Sequence, residues 1–325
     1  LAGSAGAQDL TGAGSTFAAP IYNKWADAYA SQTGVKINYA SVGSGAGIRQ
    51  ISEMTVAFGG TDGPMTDAQM AAAKGGPILH IPTVIGAVAI SYNLPGVTAP
   101  LKVDGAVVAD IYLGRITKWN DSRVAALNPG VALPDEPIVV VHRSDGSGTT
   151  YIVTDYLSAV SAAWASGPGK GTAISWPVGL GAKGNEGVAG QVRQIEGAIG
   201  YVELAYVLTN HMAYAVVKNR AGKYVAPSLD GATAAAAGTA EALPANSDFR
   251  VSIVNAPGAA AYPISSFTWI LMYTHQTDAA KGRKLVEFIK WAMTSGDRDA
   301  TSLDYATLPA NMKAMVLKRL AGVTY

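Results

Sequence analysis

The stretch Ile138–Leu157, IVVVHRSDGSGTTYIVTDYL, reads as three pieces in succession. A short apolar strand covers Ile138–Val141, a Gly/Ser/Thr loop follows, and a helix then carries Ile152, Val153, Tyr156 and Leu157 along one face. A strand running through such a loop into a helix is the repeating unit of α/β layering. The loop also has chemistry of its own. The start of a helix offers unpaired N–H groups and a partial positive charge, the hydroxyls add donors, and glycine lets an anion come close to the backbone. Arg143 precedes Asp145 by two residues and Ser147 by four. From the strand end its guanidinium can grip two oxygens of a tetraoxyanion, with Asp145 holding it in place.

The same design occurs twice more. Gly12-Ala-Gly-Ser15-Thr16-Phe17 runs into a helix through Ile21 and Trp25, and Gly43-Ser44-Gly45-Ala-Gly47 into one through Ile48 and Ile51. Taken singly, each loop is better explained by capping than by ligand binding, since Ser and Thr are good N-caps and Gly is a common turn residue. An exposed Arg143–Asp145 pair would be worth under about 1 kcal/mol. Asp62, in Phe58-Gly-Gly-Thr-Asp62-Gly-Pro64, is a further candidate carboxylate in a turn-like setting.

At 325 residues the chain is long enough for two domains or one large α/β unit. Hydrophobic residues make up 49% and charged residues only 14%, against a usual value of about 25%, so a large core can form and disorder is excluded. The net charge of +1, without a Lys/Arg run, argues against nucleic acid or an anionic membrane held by bulk charge. With no cysteine, disulfides, thiolate metal sites and a Cys nucleophile are ruled out. Ala5 and Ala7 around Gly6 resemble the small-residue end of a secretory signal, although a frayed chain start fits the same residues. The longest apolar segment, Ile81–Tyr92, carries Pro82, Thr83, Gly86 and Ser91 and falls short of the roughly 18–20 residues of a membrane span.

Further elements follow from periodicity. A helix with Pro20 in its first turn buries Ile21, Trp25, Ala28 and Tyr29 and stops near Gly34, and Val35–Tyr39 alternates as a strand. Leu285, Phe288, Ile289 and Met293 form an apolar helical stripe closed by Gly296. Strands are predicted at Ile81–Tyr92, Ile138–Val141, Ile199–Val202, Val251–Val254 and Thr268–Met272, and the Ala-rich Gly231–Ala242 is a surface connection or a short helix.

Several enzyme signatures are missing. There is no GxSxG elbow or Walker-type phosphate loop, and His80, His142, His211 and His275 have no HExxH spacing. A dinucleotide-like pattern, Gly179-Leu-Gly181-Ala-Lys-Gly184, follows a strand candidate at Thr172–Val178 and has Glu203 nineteen residues on, but Pro177, Gly187 and Gly190 weaken it. A phosphate-ester hydrolase or phosphoryl-transfer enzyme with Ser147 or Ser44 as nucleophile would use the same anion cradle, yet no general base or metal cluster accompanies it.

With these loops in hand, the chain resembles the PstS family, the phosphate-binding proteins of the bacterial high-affinity phosphate ABC transporter. The similarity is close and nearly full length. It extends through Ile81-Pro-Thr-Val-Ile-Gly86, Asp110–Gly114, Lys118-Trp119, Trp176–Gly181, Lys183-Gly184-Asn185, Gly197–Glu203 and Leu303-Asp304-Tyr305. The resemblance implies an α/β, two-lobed periplasmic binding protein of type II, each lobe a mixed sheet flanked by helices, with the ligand in the cleft between them. Lobe I would take 1–85 and 259–325, lobe II 86–258, with crossings near Val84–Gly86 and Ala256–Ala261. The implied anion contacts are Thr16, Phe17, Ser44, Asp62, Arg143, Ser147, Gly148 and Thr149, with Asp145 supporting Arg143. The resemblance further implies no catalysis, cofactor or metal, a periplasmic location reached through a cleaved signal peptide, a membrane ABC permease as partner, and action as a monomer. In this family the glycines ending at Gly184 belong to the phosphate-binding fold, which counts against a dinucleotide site. Ser15, Gly45, Ala57, Thr61 and His142 depart from the commonest family pattern without removing an implied contact, and His142 would add pH sensitivity if it lay close to the anion.

Overall fold

The computed structural model describes residues 9–244 and 246–325, so the signal-like Leu1–Ala7 lies outside the described residues. In chain order the strands are β1 (Leu10–Gly14), β2 (Ile37–Ser41), β3 (Phe58–Thr61), β4 (Ile78–Tyr92), β5 (Lys102–Val103), β6 (Val139–Arg143), β7 (Leu180–Ala182), β8 (Ala198–Glu203), β9 (Ala213–Tyr214), β10 (Val216–Lys218), β11 (Tyr224–Val225), β12 (Ser265–Tyr273) and β13 (Ala306–Thr307). The helices are α1 (Ala19–Thr33), α2 (Ser44–Ser52), α3 (Asp67–Ala71), α4 (Gly105–Tyr112), α5 (Ser122–Leu127), α6 (Gly148–Val160), α7 (Ala162–Ser166), α8 (Gly184–Gln194), α9 (Leu204–Thr209), α10 (Leu229–Ala242), α11 (Ala279–Ala292), α12 (Asp297–Thr301) and α13 (Ala310–Ala321).

The main sheet runs β2-β1-β3-β12-β4-β8-β6-β7, with β9 and β13 also on β4. The pairs β1–β2, β1–β3, β6–β8 and β6–β7 are parallel, while β12 is antiparallel to β3 and β4, and β8 to β4. Strand β4 is the pivot of this order. Its first part, Ile78–Ala87, pairs with β12, and Val88–Tyr92 pairs with β8. All but one of its residues are buried, which explains a near-continuous apolar run in place of polar alternation.

Helix packing follows the sequence stripes. On α1, Ile21, Tyr22, Trp25, Ala26 and Tyr29 are buried, Pro20 lies in the first turn, and Gly34 ends the helix at φ 74° with its N–H on the Ala30 carbonyl. Ala28, expected on that face, is half-buried. Tyr29 meets Phe288 and Trp291 of α11, each with ring centroids 5.4 Å apart. Gly296 accepts from the Trp25 indole at 2.9 Å, so it locks two helices together. The Ala-rich segment is helix α10.

Two expected strands are absent. Val251–Val254 is irregular: Phe249 and Asn255 flank it in the left-handed region at φ 61° and 51°, and Ser252 Oγ donates to Asp155 at 2.7 Å. Thr172–Val178 is also irregular, and the strand is instead β7, which runs through the glycine pattern itself. A dinucleotide turn needs its glycines after the strand, so that reading fails on geometry as well. Glu203, its supposed ribose partner, is fully buried and caps α9, accepting the Ala205 N–H at 2.8 Å.

Candidate functional site

The three Gly/Ser/Thr loops converge. After β1, residues Ser15–Ala18 lead into α1; after β2, Val42-Gly43 leads into α2; after β6, Ser144–Ser147 leads into α6. The Gly45 N–H donates to the Gly146 carbonyl at 2.8 Å, which ties the second loop to the third. Contact is so close that a methyl at Gly148 would run into the Asp62 carboxylate and the Ser44 hydroxyl. Thr16, Ser44, Asp62, Arg143, Ser147 and Thr149 are all buried although all are polar, and none is more than 3% exposed. Sequence separations of up to 133 residues, from Thr16 to Thr149, are thereby closed into one polar centre.

Asp62 follows directly on β3. Ser15 Oγ lies 2.6 Å from both of its oxygens, Thr268 Oγ1 donates at 2.7 Å and Ser44 Oγ at 3.3 Å. Burial pushes its pKa up to about 6, while these hydroxyls and the charge of Arg143 pull the other way. Above that pH it is an ionised acceptor in a dry setting.

Arg143 ends β6 with its side chain only 1% exposed. Nε and Nη2 donate to Asp145 Oδ1 and Oδ2 at 2.7 and 2.6 Å, a forked ion pair, and Nη1 points to Thr149 Oγ1 at 3.4 Å. Of five guanidinium donors, two remain for a ligand. Asp145 also accepts the Gly184 N–H at 3.1 Å, and against the opposing effect of burial Arg143 holds its carboxyl below the usual range. One arginine and two carboxylates leave the centre without excess positive charge.

Asn185, at the start of α8, sets the hydroxyls. Its backbone N–H and Nδ2 donate to Thr16 Oγ1 at 3.2 and 2.8 Å, Nδ2 also to Thr149 Oγ1 at 3.1 Å, and its Oδ1 accepts the Glu203 N–H at 2.9 Å. Thr16 Oγ1 thus accepts twice, and Thr149 Oγ1 accepts from Asn185 and Arg143, so the proton of each hydroxyl is left to donate outward. Ser147 is placed differently: its Oγ caps α6 by accepting the Thr150 N–H at 3.0 Å, and its own N–H is taken by the Thr172 carbonyl at 2.7 Å. The first N–H groups of α6, on Gly148 and Thr149, have no acceptor within the helix.

His142 alternates to the other face of β6, stacks on Trp176 at 4.7 Å, and lies with Nδ1 3.0 Å from the Arg143 carbonyl. His80 accepts the Met65 N–H and His275 meets Thr324. Among the described residues no group of His, Asp and Glu could hold a metal ion. Sequence reading missed Asn185, Thr268 and the partnership of Ser15 with Asp62. Asn185 had a usable signal, because Lys183-Gly184-Asn185 is a fourth loop running into a helix; Thr268, inside a strand, had none.

Glu203 adds a stability prediction. Its burial pushes the carboxyl well above the value of 4.5 it has when unfolded, so the fold holds the carboxyl proton more tightly than the unfolded chain does. That difference destabilises the fold increasingly as pH rises above about 4.5. Glu203→Gln keeps an oxygen acceptor for the Ala205 N–H and cannot ionise. It is expected to lose less melting temperature than the wild type between pH 5 and 9; equal losses would contradict the upward shift of the Glu203 carboxyl.

With this geometry in place, comparison with known proteins decides the family. Residues 2–295 match the model of the PBP superfamily domain. The phosphate-binding protein PstS of Xylella fastidiosa (strain 9a5c) is 45% identical over 304 residues, covering 93% of this chain and 82% of that protein. The PstS protein of Haemophilus influenzae is 41% identical over 311 residues, covering 95% and 92%. The chain belongs to the PstS family. A solved structure of a high-affinity periplasmic phosphate-binding protein, PfluDING, bound with phosphate, superposes with a TM-score of 0.77 at 24% identity over 95% of this chain and 93% of that one. The PstS-family chain therefore has the two-lobed α/β fold expected from its sequence.

Proposed function

We propose that this PstS-family chain captures inorganic phosphate in the periplasm and hands it to the membrane permease of an ABC transporter, as a binding protein with no chemistry of its own. Asp62 carries the reading. A buried carboxylate beside an anion site is tolerable only if the ligand brings a proton to share, and phosphate near neutral pH carries one. The proposed ligands are Thr16 and Phe17 through N–H with the Thr16 hydroxyl, Ser44, Asp62, Arg143, Ser147 through its hydroxyl, Gly148 and Thr149, with Asp145 and Asn185 holding Arg143 and the threonines. The PstS names of the relatives, and the phosphate held by a protein of the same fold, support this choice of ligand.

Lobe I is assigned 1–85 and 259–325, lobe II 86–258, with the chain acting as a monomer after removal of a signal peptide. Support for the division comes from β4, which changes partner between Ala87 and Val88, where the Val88 N–H donates to the Ile264 carbonyl and Tyr262 OH to the Val88 carbonyl, both at 2.8 Å. The first proposed crossing, Val84–Gly86, pairs with Ser266–Thr268, a few residues past the second, Ala256–Ala261. Hinge closure there brings Thr16, Ser44 and Asp62 onto Arg143 and Thr149.

Denaturing the purified protein is expected to release up to one phosphate per chain, and a generic phosphate ester is expected to pass unhydrolysed. Catalytic turnover of the ester would overturn the binding-protein reading.

A further inference from the structure

Three consecutive carbonyls of the first loop are each held by a tyrosine hydroxyl. Tyr39 of β2 donates to the Ser15 carbonyl at 3.0 Å, Tyr206 of α9 to the Thr16 carbonyl at 2.6 Å, and Tyr305, just before β13, to the Phe17 carbonyl at 2.6 Å. In a trans peptide the C=O and the following N–H lie in one plane and point in opposite directions. A hydroxyl that fixes one carbonyl therefore aims the next N–H the other way. Tyr39 aims the Thr16 N–H, Tyr206 the Phe17 N–H and Tyr305 the Ala18 N–H, the last of which meets Ser15 Oγ at 3.0 Å.

The three tyrosines differ in origin. Tyr39 and Tyr305 lie in the segments assigned to lobe I, as does the loop they hold. Tyr206 belongs to the middle segment, three residues beyond the end of β8. Asn185, from the same segment, grips only the Thr16 side chain and its partners and leaves the peptide plane to Tyr206. Burial, with the nearby Glu186 and Glu203, holds the Tyr206 phenol well above its ordinary value, so it is a permanent O–H donor.

We propose that Tyr206 is a positioning residue for anion capture, fixing the Thr16–Phe17 peptide so that the Phe17 N–H is aimed at the anion only when the lobes are together. This rests on the phosphate-binding reading and adds a coupling to it. Lobe closure not only shields the ligand but completes one of its donors, so the open form lacks a contact that the closed form has. The Thr16 N–H, set by Tyr39 within one lobe, is aimed in both forms.

The test is Tyr206→Phe in the full chain, followed by phosphate calorimetry, thermal melting without phosphate, and amide NMR of the phosphate-saturated protein. Loss of one buried donor is expected to weaken phosphate binding about tenfold with the ligand-free melting temperature nearly unchanged. At saturation the Phe17 amide proton is expected to move upfield from its wild-type position, while those of Thr16 and Thr149 stay. Tyr39→Phe is expected to move the Thr16 amide instead. Affinity within twofold of wild type, or equal shifts at Thr16, Phe17 and Thr149, would overturn the assignment, since a merely structural hydroxyl would loosen all three alike. A wild-type protein that bound no phosphate would refute the functional reading and this inference with it; a binding-competent wild type matched by its variant would refute the inference alone.

Discussion

Replacing Arg143 with alanine is expected to weaken phosphate binding by about a thousandfold. At the proposed site a multiply charged anion meets a single full positive charge, beside the carboxylates of Asp62 and Asp145 and a set of hydroxyls and peptide N–H groups. Removing one partner of a buried, hydrogen-bonded charge pair typically costs about 3–5 kcal/mol, because the other charge is left without compensation. Here two charges would be orphaned, the anion and Asp145, whose forked ion pair at 2.6–2.7 Å is the reason the guanidinium stands where it does. Arg143→Lys is expected to fall in between: it keeps the charge but cannot hold Asp145 with two parallel donors while also facing the ligand. Calorimetry on both variants, with melting curves as a folding control, measures this, and wild-type affinity in Arg143→Ala would remove Arg143 from the site.

Sulfate is expected to bind thousands of times more weakly than phosphate at pH 8. The two anions share shape and size, so only a group that senses the proton can separate them. Asp62 is such a group, since above about pH 6 it is ionised and can only accept. Sulfate would set two acceptors face to face in a buried site, which costs several kcal/mol. The sign of the pH dependence follows. Below about pH 6 Asp62 takes up a proton and can donate to sulfate, so discrimination is greatest at alkaline pH and narrows on acidification. Asp62→Asn, which carries a permanent donor in the same place, is expected to bring the two affinities within about tenfold of each other at pH 8. Arsenate, with phosphate's shape and proton content, is expected to be rejected far less than sulfate. Undiminished discrimination in Asp62→Asn would show that another group reads the proton.

What could be read from the sequence was what is encoded locally. The loops at Gly12, Gly43 and Asp145 were legible because a glycine and hydroxyl cluster before a helical stripe has a mechanism that does not depend on distant residues. The pairing of Arg143 with Asp145 was legible for the same reason, two residues apart at a strand end. Dependence on partners defeated the rest. Val251–Val254 has the composition of a strand, yet left-handed residues at both ends and a side-chain bond to Asp155 keep it off any sheet. The residues before Gly179 lost the strand role to the glycine pattern itself, because β7 needs only an edge position beside β6. Asn185 and Tyr206 reach Thr16, and Thr268 reaches Asp62, from 169 to 206 positions away, and no short-range pattern marks such a link. Ser147 is the mixed case: its place was legible, but its Oγ lone pair and its N–H are engaged by Thr150 and Thr172, leaving the hydroxyl proton as its only free donor.

Titrating phosphate into the wild-type protein, after unfolding and refolding it free of any retained anion, tests the central claim most directly. One site per chain with a dissociation constant of about 1 μM or below, and no measurable heat from sulfate under the same conditions, is the predicted result. No binding at millimolar phosphate, or sulfate bound as tightly as phosphate, would contradict it.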